Sequence, residues 1–576
     1  MRSFNMVRTK IFTFSLIAFF VLLILSTFNL EVLQGKKYRE LSNLNSIRLL
    51  PKEGARGRII DRQGNILVDN KLSYDVMILP EYYNNQKNIL KTVSRIIGVD
   101  EEDLRASFKK NLTSASLPVK IADDVDIKKA IALEEVKLDL AGIIIESSPK
   151  RYYPYSRLAS HAIGYLGEID HWRLRKLADY GYKRKDIVGF GGIEEKYDYY
   201  LREEDGGSSI EVDNRGRMVR ILGFKPPQKG KDIESTLDLR LQKIAEEKIN
   251  GRTGSVVIID PQSGEILAMA NFPDFNPALF RDKRSSAISN LFDDADAPLL
   301  NRATGGVYPP GSIFKLVVAS AALETGRLDL SRRFFCSGSL VVGRKKFKCW
   351  NDHGSQDIIS AIANSCNVFF YNIGLLAGPK KIYDYALKFG LSKKSSSDLP
   401  YEAGGFIPSP LWRKFYKFRK WYAGDTANMS IGQGEVLATP LQIARIMAIF
   451  ANGGRLVTPY IVKAIDGRSI VRYQRKIKNL SLKKMTLDAI GEGLRRVVSD
   501  PEGTANVLSS LPIAVAGKTG TAQAPPGTAH GWFVGFFPFE EPKYVICVFL
   551  ERGGHGYSSA VLAKEIIQEM IAKELI

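Results

Sequence analysis

Pro309-Pro310-Gly311-Ser312-Ile313-Phe314-Lys315 is the stretch from which the rest of the chain is read. Two prolines and a glycine end a loop, and the apolar run Leu316 to Leu323 that follows predicts a helix with Ser312 at its start. Residues three apart on a helix share a face, so Lys315 is expected beside the Ser312 hydroxyl. A lone hydroxyl is a weak nucleophile, and a neighbouring amine that takes its proton activates it. Backbone N–H groups at a helix start favour a developing oxyanion. Alone the pattern says little, because a capping serine and a solvated lysine share the same spacing.

Two later motifs change its weight. Ser365-Cys366-Asn367 lies between the apolar segments Ile358 to Ile362 and Val368 to Leu375. On a tight loop its hydroxyl and amide point one way, the hydroxyl suited to relaying a proton to a leaving amine and the amide to holding a substrate amide. Lys518-Thr519-Gly520-Thr521 follows the apolar stretch Ile513 to Gly517. On a strand beside the nucleophile its ammonium and hydroxyls suit a carboxylate, and Gly520 leaves room for a substrate backbone. The order S-x-x-K, S-x-N, K-T-G is the signature of penicillin-binding proteins and serine β-lactamases.

The 576 residues exceed what one core organises. Ile11 to Leu30 has no charge and is long enough to span a bilayer. Arg2, Arg8 and Lys10 precede it, which predicts a cytoplasmic N-terminus (residues 1–10) and an uncleaved anchor (11–30). A mixed pedestal is expected over 31–235 and a catalytic domain over 236–576. In the pedestal, Arg56 to Val68 reads as strand, turn, strand. In the second domain, Thr236 to Ala245 has helical spacing, Gly254 to Asp260, Glu265 to Ala270 and Tyr544 to Leu550 read as strands, and Ser559 to Ile576 as a closing helix. Strands from both ends with helices between predict an α+β sandwich. The net charge of +20 fits an anionic polymer or lipid surface as well as an uncommitted basic one, and no nucleic-acid signature accompanies it.

The chain resembles the class B penicillin-binding proteins nearly end to end, most closely the penicillin-binding protein 2 branch of the rod-elongation machinery. The resemblance rests on Arg56 to Arg62, His161 to Tyr165 and Gly189 to Glu194 in the pedestal. In the second domain it rests on Asn301-Arg302, Trp421 to Thr426 and Ile431 to Gly434. Gly424-Asp425-Thr426 ahead of Gly432-Gln433-Gly434 favours the elongation branch over the division one. The resemblance implies a pedestal of the dimerisation type and a transpeptidase domain with an antiparallel sheet between helices. It implies a serine-type D-Ala-D-Ala transpeptidase, related to the carboxypeptidases, that cross-links peptidoglycan stem peptides and is inactivated by β-lactams. Ser312 would be the acyl-accepting nucleophile, Lys315 its base, and Ser365 and Lys518 would carry the leaving-group proton. Asn367, Thr519, Gly520 and Thr521 would bind the donor stem, with backbone N–H groups of Ser312 and Thr521 as the oxyanion hole. A single-pass inner-membrane protein with its bulk in the periplasm, paired with a polytopic glycosyltransferase, is the implied setting. A β-lactam sensor, a β-lactamase or a non-catalytic scaffold are the rivals. The intact motif triplet opposes the scaffold, and the anchor and long pedestal oppose the β-lactamase.

Three of the four cysteines crowd near the second motif. Cys336, Cys349, His353 and Cys366 are three thiolates and an imidazole, a set suited to structural Zn2+. Some members of the family resemble it here with Asp, Asp, His and Cys, so cysteines at the first two positions depart from that pattern. A metal gripping Cys366 from behind would fix Ser365 and Asn367 toward the substrate. A disulfide with one thiol left over is the competing reading. Cys547, in an apolar strand, is expected in the core, and His530 is expected to be structural.

Overall fold

The computed structural model describes residues 2–38, 47–85, 88–112, 118–136, 142–212, 218–281, 285–474, 476–524 and 527–576. An α-helix, Arg2–Phe28, continues through a single π-helical turn, Asn29–Leu33. Arg8–Leu33 is apolar and long enough to cross a membrane, and encloses the span read from the sequence.

The chain packs as two compact units. The first comprises Met1–Ala55, Asn70–Lys150 and Glu203–Lys229; the second comprises Arg56–Asp69, Arg151–Arg202 and Gly230–Ile576. The sequence boundary at residue 235 follows chain order, whereas the packing interleaves the segments. In the first unit an antiparallel sheet runs Ile47–Lys52, Gly206–Val212, Met218–Lys225. A separate core there joins Val76, Ile89, Val93, Phe108, Ile121 and Leu133.

Two forces hold the early segments in the second unit. Ile59 and Ile60 pair in parallel with Ile233 and Glu234. Arg56 is buried between Glu194 at 2.9 Å and Asp198 at 2.5 Å, and Arg151 reaches Glu194 at 2.7 Å. Gly57 has no room for a side chain, because a Cβ there would sit 1.9 Å from the Lys231 carbonyl oxygen. The turn after Ile60 is organised by Asp61, whose Oδ1 accepts from the N–H groups of Gln63 and Asn65, each at 2.8 Å.

The core of the second unit is a five-stranded antiparallel sheet in the order Ile266–Phe272, Gly254–Ile259, Tyr544–Leu550, Thr528–Phe537, Ala516–Ala524. Val256 to Ile259 and Val545 to Phe549 are fully buried, as strands covered on both faces require. Helices Leu239–Ile249, Pro440–Ala451, Lys484–Ser499 and Gly556–Ala572 pack against it. The first starts later than the spacing suggests, because Asp238 caps it by accepting from the Arg240 N–H. The closing helix begins at Gly556 and ends at Ala572. The expected sandwich is therefore present, and Cys547 lies buried in the central strand.

Candidate active site

The nucleophile segment differs from its sequence reading in one respect. Gly311–Phe314 forms a 3-10 turn, and the α-helix Lys315–Glu324 starts only at the lysine. Lys315 is thus the first residue of the helix, directly after the turn that carries Ser312. Gly311 has a φ of +55°, and a Cβ there would meet the Thr521 carbonyl oxygen at 2.6 Å and its nitrogen at 3.2 Å. Only glycine lets the turn press against the strand Ala516–Ala524. The Gly311 N–H donates to the Gly432 carbonyl at 3.1 Å, and Gln433 Nε2 donates to the Thr521 carbonyl at 3.3 Å. Trp532 Nε1 donates to the Pro309 carbonyl at 3.0 Å and holds the loop from the other side.

Lys315 is fully buried inside an apolar helix. Its Nζ donates to the Ser365 carbonyl at 2.7 Å, to Ser365 Oγ at 3.2 Å and to Asn367 Oδ1 at 2.7 Å. The lysine of the first motif is thus bonded directly to the serine and the asparagine of the second. Burial pushes its ammonium down to about 8, with Cys349 and Cys366 opposing. Lys518 is also fully buried. Burial, and then the charge of Lys315, push it well below the usual lysine range.

Ser365 has a φ of +51°, in the left-handed region that costs a side chain about 1–2 kcal/mol. That conformation accompanies the turn of its carbonyl onto Lys315. Cys366 then caps the helix Asn367–Ala377, its sulfur accepting from the Phe369 N–H. Asn367 Nδ2 donates to the Lys348 carbonyl at 3.2 Å.

The third motif lies against the nucleophile loop. A Cβ at Gly520 would lie 2.8 Å from the Pro310 carbonyl oxygen and 3.2 Å from Ile313. The missing side chain admits the nucleophile loop. Thr521 Oγ1 accepts from the Gly556 N–H at 3.0 Å, at the start of the closing helix. Thr519 Oγ1 donates to Thr504 Oγ1 at 2.6 Å. Sequence reading missed Thr504; it sits in a Pro501-to-Thr504 turn with no motif of its own.

The four expected metal donors converge. The ligand atoms of Cys336, Cys349, His353 and Cys366 all lie within 4.8 Å of one another. His353 Nδ1 is 3.6 Å from Cys336 Sγ and 3.5 Å from Cys349 Sγ. Cys349 Sγ also accepts from the Asn367 N–H at 3.2 Å, so the cluster touches the catalytic loop. The Cys349 thiol is pushed far down, first by its hydrogen bond with Cys366, which pushes the Cys366 thiol up. All four cysteines are free of disulfides. His530 Nδ1 accepts from the Arg552 N–H at 3.2 Å, a structural contact.

Comparison with known proteins agrees with this geometry. The family model of the Penicillin binding protein transpeptidase domain matches residues 254–572, and that of the Penicillin-binding Protein dimerisation domain matches 51–235. The peptidoglycan D,D-transpeptidase MrdA of Acinetobacter baumannii is 33% identical over 93% of this chain and 83% of that protein. Its Escherichia coli namesake is 31% identical over 95% and 91%. Among solved structures, Helicobacter pylori PBP2 in complex with MreC is similar at a TM-score of 0.80 and 28% identity, covering 92% of this chain and 99% of that one. A chain of a peptidoglycan synthase complex, described as coordinating polymerization and crosslinking, is similar at 0.74 and 29%, covering 98% and 97%. With both domain models matched in order and curated relatives above 30% identity along most of its length, the chain belongs to the penicillin-binding protein transpeptidase family.

Proposed function

We propose that the chain is a peptidoglycan D,D-transpeptidase of cell-wall elongation and that Ser312 is its acyl-accepting nucleophile. The observation that carries this reading is the buried, hydrogen-bonded junction of the first two motifs at Lys315, with the buried Lys518 of the third near enough for its pKa to feel the charge of Lys315. An ammonium has three donors, and Lys315 uses all three on Ser365 and Asn367. Burial favours the neutral amine, and neutral Lys315 would take the Ser312 proton once the side chain turns from one of these partners toward it. Ser312 Oγ then attacks the carbonyl between the two D-alanines of a donor stem. The oxyanion is met by the N–H groups of Ser312 and Thr521. As the C–N bond breaks, Ser365 gives its proton to the leaving D-alanine and is reprotonated by the buried lysine pair. Asn367 orients the donor, and the Thr519 and Thr521 side of the strand receives its carboxylate. The amine of a neighbouring stem takes the acyl group and leaves a cross-link. A β-lactam follows the first half of this path and stays on Ser312.

Structural zinc fits the Cys/His cluster. A tetrahedral ion at about 2.3 Å from sulfur and about 2.1 Å from nitrogen spaces such donors about 3.6 Å apart, against the 3.5 and 3.6 Å found. Cys336, Cys349 and Cys366 would hold it with His353 Nδ1. Bound there, zinc supplies a crosslink, no reaction step. Cys366 and Cys349 would carry its rigidity to Ser365 and Asn367.

The apolar helix anchors the chain in the inner membrane, N-terminus inside and bulk in the periplasm. The MreC and synthase complexes of its relatives support work alongside a glycosyltransferase of the elongation machinery. The test is cross-linking itself. Full-length protein supplied with freshly polymerised, uncross-linked strands should yield dimeric muropeptides. Ser312→Ala protein should yield none, and dimers from that variant would refute the assignment.

A further inference from the structure

Two exposed segments beside the catalytic loop are rich in cations and lack any carboxylate. The hairpin Ser339–Val342 with Lys345–Lys348 exposes Arg344, Lys345, Lys346 and Lys348. The stretch from helix Pro410–Tyr416 to Tyr422 exposes Lys414, Lys417, Arg419 and Lys420. Neither 339–348 nor 409–422 contains Asp or Glu. No salt bridge joins any of these eight cations to a carboxylate among the described residues.

The second segment is held firmly from within. Trp412 packs edge-on against Phe406 at 4.8 Å. Arg413 pairs with Asp425 at 2.6 Å and lies over the Trp421 ring. Trp421 Nε1 donates to Thr426 Oγ1 at 2.8 Å. These inward anchors leave Leu411, Phe415, Tyr416, Phe418 and Tyr422 facing out, Phe418 at 87% exposure. Within twelve residues of chain this leaves five large apolar side chains open to a partner.

Both segments are tied to the motifs. The Lys348 carbonyl accepts from Asn367 Nδ2. A Cβ on Gly424 would lie 3.2 Å from the Phe347 ring, so the hairpin abuts the helix Ala423–Ser430. That helix leads into Gly432, whose carbonyl receives the Gly311 N–H. The patch therefore continues from the nucleophile turn and the Ser365 loop.

We propose that this surface binds the second peptidoglycan strand, the one that brings the acceptor amine. Its cations would meet carboxylates of uncross-linked stem peptides, and its aromatic faces would take sugar rings. The inference rests on the transpeptidase reading. The Lys-Thr-Gly strand accounts for the donor carboxylate and leaves the acceptor strand unassigned, and the charge and position of the patch suit that strand.

The probe is purified uncross-linked peptidoglycan strands with intact stem peptides, added to full-length protein in detergent. A variant carrying Lys414→Gln, Lys417→Gln, Arg419→Gln and Lys420→Gln should bind them at least tenfold more weakly, while fluorescent-penicillin acylation of Ser312 proceeds at the wild-type rate. A second variant, Arg344→Gln with Lys345→Gln and Lys346→Gln, should weaken binding in the same direction. Wild-type binding should fall with added salt and with strands stripped of their stems. Unchanged strand binding by both variants would overturn the proposal, as would equal binding of stripped strands. Loss of binding only to phosphatidylglycerol vesicles, with strand binding intact, would reassign the patch to the membrane surface. Penicillin labelling reports on the donor reading separately, so failure of one is distinguishable from failure of the other.

Discussion

Lys315 is expensive to charge where it sits, and that is its use. Burial brings its ammonium to about 8, so the neutral base becomes available as pH rises through that value. Acylation of the full-length protein by a fluorescent penicillin should accelerate roughly tenfold per pH unit below 8 and level off above it. A flat profile between pH 6 and 9 would remove Lys315 as the base. Asn367→Ala deletes one of the three partners of Lys315 and should slow acylation by about 10²-fold or more; an unchanged rate would show that the amide is dispensable. At this scale the sequence made the order and identity of the motifs legible. It did not show that Lys315 is bonded to Ser365 and Asn367, because those contacts come from helices that meet only in three dimensions. Nor did it reveal Thr504, or that Gly520 makes room for Pro310.

At the next scale two elements, a side-chain cluster and a helix, bear on stability. The Cys/His cluster joins the hairpin end at Cys349, the strand Phe334–Cys336 and the catalytic loop at Cys366. Purified protein should carry one zinc per chain, and chelation should lower Tm by about 5 °C or more. Absence of zinc together with an unmoved Tm would leave the cluster a set of packed thiols. That these four side chains come together was readable from their types and their crowding in the sequence. Their contact with the Asn367 backbone was not readable, since it depends on how the hairpin folds back. A second element, the helix Leu239–Ile249, carries the half-buried Glu246, which accepts from the Ala159 N–H at 2.7 Å and from Gln242. Burial raises its carboxyl from 4.5 to about 7, against those hydrogen bonds. Between these values only the folded chain keeps the proton. The contribution of Glu246 to stability is therefore greatest below 4.5 and falls as pH rises to about 7, by about 3 kcal/mol in all. Glu246→Gln should flatten that decline in thermal melts, and an unaltered slope would contradict the assignment.

The chain divides into two units whose segments alternate along the sequence, the first of which contains the apolar N-terminal helix. The fold class was legible because the strands Gly254–Ile259, Ile266–Phe272 and Tyr544–Leu550 are short apolar runs from distant parts of the chain, whereas Ala516–Ala524, with its lysine, threonines and glutamine, reads as a strand only through its motif. The interleaving was not, since it is set by the pairing of Ile59 with Ile233 and by buried ion pairs formed across more than a hundred residues. Removing residues 1–33 should release the protein from the membrane fraction and leave its acylation rate unchanged; a released but inert chain would show that the helix does more than anchor. The central claim is that Ser312 forms the acyl-enzyme. Mass spectrometry of penicillin-treated full-length protein should find the adduct on the peptide containing Ser312, and Ser312→Ala protein should show none. An adduct on any other residue, or one that persists in the variant, would contradict the account.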